Sequence, residues 1–506
     1  MSLKRSGIVA VAALVAVAAS MAAACGTEQG LRPVGTEEDG SSARPLGIFS
    51  KELSEDVREQ TLEALERDAR RRESRFLDAA DPGYLLRSTR ASQGDIEADR
   101  WTPAELFEIG AQLFDVTFTK AAGFGAKDLP PLGRFHTGRR GGPDATRCSA
   151  CHWRGGPAGA GDGADNAYLD GDGDSQQSTL ARNPISLAGA GLVEILASEM
   201  TRDLRAAKEA LIAAATSSET PKRGELIAKG VSFGFLTVRA DGSLDTSEVA
   251  GVDPDLTVRP FGWKGNIGTI RDAVEDELLT HHGMQSDHIA ASAPPERAGP
   301  FARPDPDGDG VTREIEEGQV TALTLFIAMQ EVPQIMPPND SELVLAWSQG
   351  RARFESIGCA RCHVSSLTID SPVFVLPSRS GGSAVTVDLT KDGASPRLGK
   401  PAEGGPLRVH LFSDLKRHDV GPQLKETRAD RGVAREQFLT RPLWGLARSR
   451  PYMHDGRAPT IEDAIRFHAG EAQAEREAYD ALTEAERAGI RIYLTALTRA
   501  RRMISP

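Results

Sequence analysis

Apolar positions fall into helical runs separated by stretches rich in Gly, Pro and Asp. Residues 1–24 form the longest apolar block, with Lys4 and Arg5 leading into an unbroken apolar run from Ile8 to Ala19 and the small residues Ala22 to Ala24. A charged start, an apolar middle and a small-residue exit read as an export signal. The run is too short to span a bilayer comfortably. From Lys51 to Ala79, Leu53, Val57, Leu62 and Leu65 recur near helical spacing among Glu and Arg, and Pro82 follows; the pattern predicts a long, mostly exposed helix. Residues 101 to 114 predict another, with Pro103 early and Glu105 and Leu106 in its first turns. Helical patterns return from Glu314 to Met329 and from Ile461 to Arg502. Residues 155–176 and 291–311 read as loops, the second marking a domain junction. Val, Thr and Ser runs between about 365 and 410 predict a small hairpin inserted into a helical domain.

At roughly 150 residues per domain, 506 residues hold about three domains' worth of chain. Apolar types at 40% and charged types at 26% exclude a wholly disordered chain and a polytopic membrane protein. With 60 Lys and Arg against 72 Asp and Glu, the net charge of −12 gives no diffuse positive field, so nucleic acid is not an expected partner. Aromatics are only 5%, so the core leans on aliphatic side chains and inserted groups. Cys25 follows the signal directly, and the junction resembles the lipobox of bacterial lipoproteins, which implies a lipid anchor at Cys25 on the periplasmic side. The alternative is simple cleavage after Ala-x-Ala, leaving a free secreted protein. Gly26 to Pro45 is polar and suits a flexible tether.

The other four cysteines carry the chemistry. One six-residue unit occurs twice, as RCSACH from Arg147 to His152 and GCARCH from Gly358 to His363. Two thiols three positions apart on one helical turn add to the two vinyl groups of one haem, and the adjacent His points at the iron. Disulfides, a four-cysteine zinc site and thioredoxin-like redox pairs compete, but none calls for His directly after the second Cys. Cys148, Cys151, Cys359 and Cys362 are therefore the expected attachment points of two covalent haem c groups, with His152 and His363 as iron ligands. Gly350 and Phe354 read as the lead-in helix of a cytochrome c domain, and Gly110 with Phe114 as its counterpart at the first site. The fold class expected is mainly α, with two cytochrome c-like helical domains joined by long loops, a small β insertion in the second and an N-terminal helical extension. The boundaries are 1–24 signal, 25–45 tether, 46–100 helical extension, 101–335 N-terminal haem domain and 336–506 C-terminal haem domain.

The run PYMHDGRAPTIEDAIRFHAGEA from Pro451, with RPLWGLARSR before it, resembles the bacterial di-haem cytochrome c peroxidase and MauG superfamily. ARNPISLAGAGLVE from Ala181, RPFGWKGNIGTIRD from Arg259 and LFSDLKRHDVG from Leu411 bring it closer to the di-haem oxidoreductases labelled peroxidases or thiol oxidoreductases. The resemblance spans about 101 to 500. It implies that the C-terminal haem relays electrons from a small soluble or membrane-bound donor and that Met453 closes it. It also implies that the N-terminal haem reacts with peroxide or another small substrate. A peroxide needs a distal acid–base group, for which Glu194 is the candidate, with Arg182 as a charge-stabilising neighbour; an exposed carboxylate and an ordinary ion pair are the alternatives. His281 or His282 is a further candidate at the first haem, and Trp263 for charge transfer between the haems, with core packing as its alternative. His410, His418, Asp414 and Asp419 suit a haem edge.

DPDGDGVTREIE puts Asp305, Asp307 and Asp309 at positions 1, 3 and 5 of a calcium-loop template, with Gly310 at 6 and Glu316 at 12. A bound Ca2+ is the expectation, against a solvated acidic turn. Function divides into a di-haem oxidoreductase and a non-catalytic electron-transfer lipoprotein, and the distal group of the first haem decides between them. Thiol oxidation lacks a spare cysteine for exchange chemistry.

Overall fold

The computed structural model describes residues 91–118, 124, 145–169, 180–282, 284–292, 313–399 and 405–499. The signal, Cys25, the tether, the helix expected over 51–79 and the calcium-loop residues Asp305, Asp307 and Asp309 lie outside the described residues. All described residues belong to one unit, Ile48–Pro506.

Ten helices form among the described residues. They are α1 (Gln93–Glu97), α2 (Pro103–Asp115), α3 (Ala190–Ser218), α4 (Ile270–His282), α5 (Asp287–Ser292), α6 (Glu317–Ala328), α7 (Ser341–Ser356), α8 (Ile461–Phe467), α9 (Gln473–Asp480) and α10 (Glu484–Thr495). The start of α2 is written locally. Thr102 caps it, Pro103 takes the first helical position, and the Glu105 carboxylate accepts the Thr102 amide at 2.8 Å. α10 repeats the device with Thr483 and Glu486. Helix α6 starts within three residues of the expected Glu314, with Glu316 as its N-cap.

Two helix crossings organise the chain, and they are built alike. Helix α2 crosses α6 where a side chain on Gly110 would collide with the Ala322 carbonyl, and α7 crosses α10 where one on Gly350 would collide with the Gly489 carbonyl. Three residues before each glycine stands an aromatic, and four after it a phenylalanine. Phe107 and Phe114 pack on Phe326 at 5.2 and 5.1 Å between ring centres; Trp347 and Phe354 pack on Tyr493 at 6.1 and 5.5 Å. The sequence relation is the same in both halves, so the chain contains one helix-pair unit twice. The smaller core, with Phe354, Phe412, Tyr479, Ile490, Tyr493 and Leu494, belongs to the second crossing, and the larger surrounds the first.

Strands are confined to small sheets. The hairpin expected near 365–410 is present as Val373–Leu376 paired with Val385–Asp388, and Leu367–Ile369 pairs with Leu407–Val409. Its buried face, with Phe374, Leu376 and Val387, belongs to the larger core with α3, so the second half's β insertion packs onto the first half. A sheet that the sequence reading did not anticipate lies in the first half. Lys222–Ala228, Val231–Val238 and Leu244–Asp245 form a three-stranded antiparallel sheet on α3, burying Leu226, Phe233, Leu236 and Val238. Its two-residue alternation was present in the chain, and a Lys229–Gly230 turn joins the first two strands, both residues at positive φ.

Gly350→Val is expected to force the α7–α10 crossing apart and to destabilise the protein by about 1–3 kcal/mol or more. A lowered thermal midpoint checks this, and Ser348→Val, two residues away on an exposed face of the same helix, serves as control.

Candidate functional site

Each C-x-x-C-H unit folds as a single tight turn. Cys148–Ala150 and Cys359–Arg361 are short 3-10 segments in which the His152 and His363 amides donate to the carbonyls of Cys148 and Cys359 at 3.1 and 3.0 Å. The turn gathers two sulfurs and one imidazole on one side. None of the four cysteines forms a disulfide. Among the described residues, the group able to converge on a metal is Cys362, Asp414 and His418, which is not a four-cysteine site. Burial pushes the Cys148 thiol up to about 12 and the Cys359 thiol up to about 11, which keeps them protonated and poor at thiol exchange.

The two histidines are prepared as ligands. His363 Nδ1 lies 3.0 Å from the Phe412 carbonyl; His152 Nδ1 lies 2.9 and 3.1 Å from the carbonyls of Ile185 and Gly159. A carbonyl only accepts, so the proton sits on Nδ1 and the Nε2 lone pair is left over, the arrangement found behind metal-bound imidazoles. Burial lowers both rings' affinity for a second proton, His363 to about 4. Phe114 and Phe354 flank them equivalently, with ring centres 6.1 and 6.2 Å away.

Both motifs open onto one cavity of about 1200 Å³, larger than the roughly 300–1,000 Å³ of a site for one ordinary ligand. Its walls are mainly apolar, and they include a buried guanidinium. Arg441 lies deep in the wall, 5.9 Å from the Trp263 ring centre, and among the described residues its hydrogen bonds go to the carbonyls of Pro260 and Gly262. Burial alone lowers it to about 10. A large apolar ligand bearing carboxylates fits this donor. Haem is such a ligand: Arg441 would offer a partner to its carboxylates, and each C-x-x-C-H turn would offer two thiols and one imidazole.

Between the motifs lies a buried charge cluster. Arg182 pairs with Glu426 and, at 2.9 Å, with Asp430; Lys264 Nζ lies 3.1 Å from Glu426 and 3.8 Å from the Phe438 ring centre. Burial lowers the Lys264 ammonium. His454 lies against Phe438 at 4.6 Å, and burial holds it neutral, opposed by Asp455 and reinforced by Arg182. Arg182 thus faces the cavity as one member of an ion-pair network joining residues 182 and 264 to 426 and 430.

The other expected residues are distributed as follows. Glu194 is mostly buried and is not among the cavity-lining residues. Its Oε2 accepts the Ile270 amide at 2.6 Å at the start of α4, and burial raises it to about 7. Trp263 lines the cavity; its Nε1 donates to the Asn183 carbonyl at 2.8 Å and its own carbonyl accepts from Leu439, so it bridges the two motif-bearing halves. Met453 lines the cavity at φ +72°, in a loop fastened to the first half: Asn183 N donates to His454 O at 2.6 Å and Asn166 Nδ2 to Asp455 O at 2.9 Å. His282 Nδ1 lies 2.9 Å from the Ala145 carbonyl and Nε2 3.8 Å from Cys148 Sγ, while His281 Nε2 lies 2.9 Å from Glu277. His418 bridges Asp414 and Glu471 at 2.8 and 2.7 Å beside Cys362. Glu316 caps α6, its amide donating to Gln319 at 3.1 Å.

Sequence reasoning passed over Glu277, His468 and Arg441, all on the cavity wall. Glu277 is deep in the molecule, yet its side chain is 54% accessible because it faces the cavity. Burial opposes its charge, but His281, His152 and His282 outweigh that and hold its carboxyl at about 2.

Arg182→Ala is expected to leave Glu426 and Asp430 buried with Lys264 alone, and to destabilise the protein by about 3–5 kcal/mol. Thermal or denaturant unfolding checks this.

Residues 399–497 match the family profile described as "Di-haem oxidoreductase, putative peroxidase". Among solved structures, a hydrazine synthase of Kuenenia stuttgartiensis determined under xenon pressure aligns with 92% of this chain and 100% of its own, at 14% identity and a TM-score of 0.36. The comparison with curated proteins finds no match. The segment running from the hairpin's end through the PYMHDG loop to α10 thus carries the di-haem oxidoreductase signature, in agreement with the resemblance drawn from the sequence.

Proposed function

We propose that this chain is an exported c-type di-haem oxidoreductase in which electrons enter at the C-terminal haem and a small substrate reacts at the N-terminal one. The observation that carries the reading is that two C-x-x-C-H turns face one cavity, each with an imidazole whose Nδ1 is committed to a backbone carbonyl. Thioether links to Cys148, Cys151, Cys359 and Cys362 hold the groups, and His152 and His363 ligate them. When bound, haem supplies one-electron redox chemistry and, where one face is open, activation of peroxide.

The residues then divide the work. Arg441 neutralises carboxylate charge in the wall. Trp263 lies between the halves, on a path for charge. The buried cluster around Arg182 fixes the spacing of those halves. Peroxide reduction consumes two electrons and two protons and gives two waters, so the donor delivers two one-electron equivalents; a small soluble or membrane-bound donor suits that task. Export follows from the leader and from the attachment chemistry, and Cys25 anchors the protein to a membrane on the periplasmic side. A calcium ion at Asp305, Asp307, Asp309 and Glu316 belongs to the same proposal.

The test is purification from a host that assembles c-type cytochromes, with intact mass and optical and EPR spectra of the oxidised and half-reduced protein. Two covalent haems and a high-spin component that responds to peroxide are expected. Two low-spin haems indifferent to peroxide in both states would overturn the enzymatic reading and leave an electron-transfer protein.

A further inference from the structure

The segments that open α4 and α8 are the same pattern written twice. Thr269-Ile270-x-Asp272-Ala273-Val274 corresponds to Thr460-Ile461-x-Asp463-Ala464-Ile465. The local bonding is the same as well. Each Thr Oγ1 accepts the amide of the Asp three residues on at 3.0 Å, and each Thr carbonyl accepts the amide of the following Ala, at 3.1 and 3.0 Å. So is the exposure to the cavity: Ile270, Ala273, Val274 and Glu277 line it from one segment, and Ile461, Ala464, Ile465 and His468 from the other. Spacings of 3, 4 and 7 put four side chains on one helical stripe. Together with the doubled Gly crossings, this makes Glu277 and His468 equivalent positions, eight residues beyond the capping Thr.

Resting on the two-haem reading above, we propose that this position supplies the distal group of each site: His468 is the second axial ligand opposite His363, and Glu277 is the acid–base carboxylate on the face opposite His152.

The His468 ring centre lies 6.4 Å from that of His363, with 60° between the planes. Two imidazoles bound through Nε2 on opposite sides of one metal have centres about 6–6.5 Å apart, given a metal–nitrogen bond of about 2.0–2.1 Å. The tautomer agrees as well. His468 Nδ1 lies 2.8 Å from the Ala464 carbonyl, as His363 Nδ1 lies 3.0 Å from that of Phe412, so both rings keep Nε2 for a metal. Met453, which the resemblance favours, sits in a loop whose neighbouring residues are bonded to Asn183 and Asn166 near the first motif.

At the first site the equivalent position holds a carboxylate instead of an imidazole. Glu277 is held by His281 Nε2 at 2.9 Å, and His282 is held at both nitrogens, by the Ala145 carbonyl and near Cys148 Sγ. A carboxylate paired with an imidazole would be suited to moving a proton from one oxygen of a peroxide to the other, so that the far oxygen could leave as water; the two electrons this cleavage takes would come from the haem and be returned by the one-electron donor. One ancestral helix position thus closes one haem and equips the other.

The test uses the full-length holoprotein and its variants. His468→Ala should keep two covalent haems but convert one low-spin EPR signal to high-spin, and added imidazole should restore it. His468→Met should raise the midpoint potential of that haem, because thioether ligation favours the reduced iron, and add a sulfur-to-iron charge-transfer band. Glu277→Gln should keep both haems and both spin states while slowing peroxide reduction by about 10²-fold or more. Glu277→His should turn the first haem low-spin. Two haems with unchanged spectra in His468→Ala would overturn the ligand assignment alone, as would loss of the low-spin signal in Met453→Ala instead. An unchanged peroxide rate in Glu277→Gln would overturn the role of the carboxylate. A wild-type chain without haem would overturn the two-haem reading itself.

Discussion

Everything in this structure depends on fixing the tautomer of buried imidazoles. A neutral histidine offers one donor and one acceptor nitrogen, and burial with a carbonyl against Nδ1 leaves no freedom over which is which. Phe412 performs this for His363, and Ile185 and Gly159 for His152. The main chain at 185 and 412 must therefore stand within hydrogen-bonding distance of a ring far away in sequence. The stretches that contain them, residues 181–189 and 411–421, are ones through which the family resemblance is recognised. Those segments position the two imidazoles that the proposed function makes iron ligands.

The second constraint is spacing. On the proposed reading two redox groups must keep a fixed separation, and the feature suited to that is an ion-pair network joining the two halves. Arg182 and Lys264 on one side meet buried Glu426 and Asp430 on the other. Such a network is a poor source of stability relative to apolar packing, yet removing one member is expensive, so it suits a junction that must keep one geometry. Met453 is part of the same junction. Its left-handed backbone is disfavoured by about 1–2 kcal/mol for a residue with a side chain, and the bonds from Asn183 and Asn166 hold the loop there.

Duplication explains why so few aromatics suffice. The same Gly crossing, with aromatics three before and four after the glycine, recurs at 110 and at 350 and brings a Phe against the histidine of each C-x-x-C-H turn. Within this symmetry the halves differ where chemistry requires a difference: a carboxylate at 277 and an imidazole at 468. The inserted three-stranded sheet on α3 and the hairpin at 373–388 enlarge the first core.

The chain by itself determined the local facts. The C-x-x-C-H spacing follows from covalent chemistry between neighbours, the Thr102–Pro103–Glu105 start of α2 from hydrogen bonds within one turn, and the family match at 399–497 from contiguous residues. The sheet at 222–245 was also legible in its alternation, though it was passed over. The tertiary structure alone decided which side chains face the cavity. Glu194 sits in a plausible motif but ends on the Ile270 amide, whereas Glu277, undistinguished in a charged helix, ends beside His281 in the open cavity. Arg441 reads as an ordinary loop arginine until its burial against the carbonyls of Pro260 and Gly262 is seen in three dimensions. The reason is physical: a helix start or a C-x-x-C-H turn is fixed by bonds spanning a few residues, while the side chains that face the cavity are fixed by packing between segments that are distant in the chain.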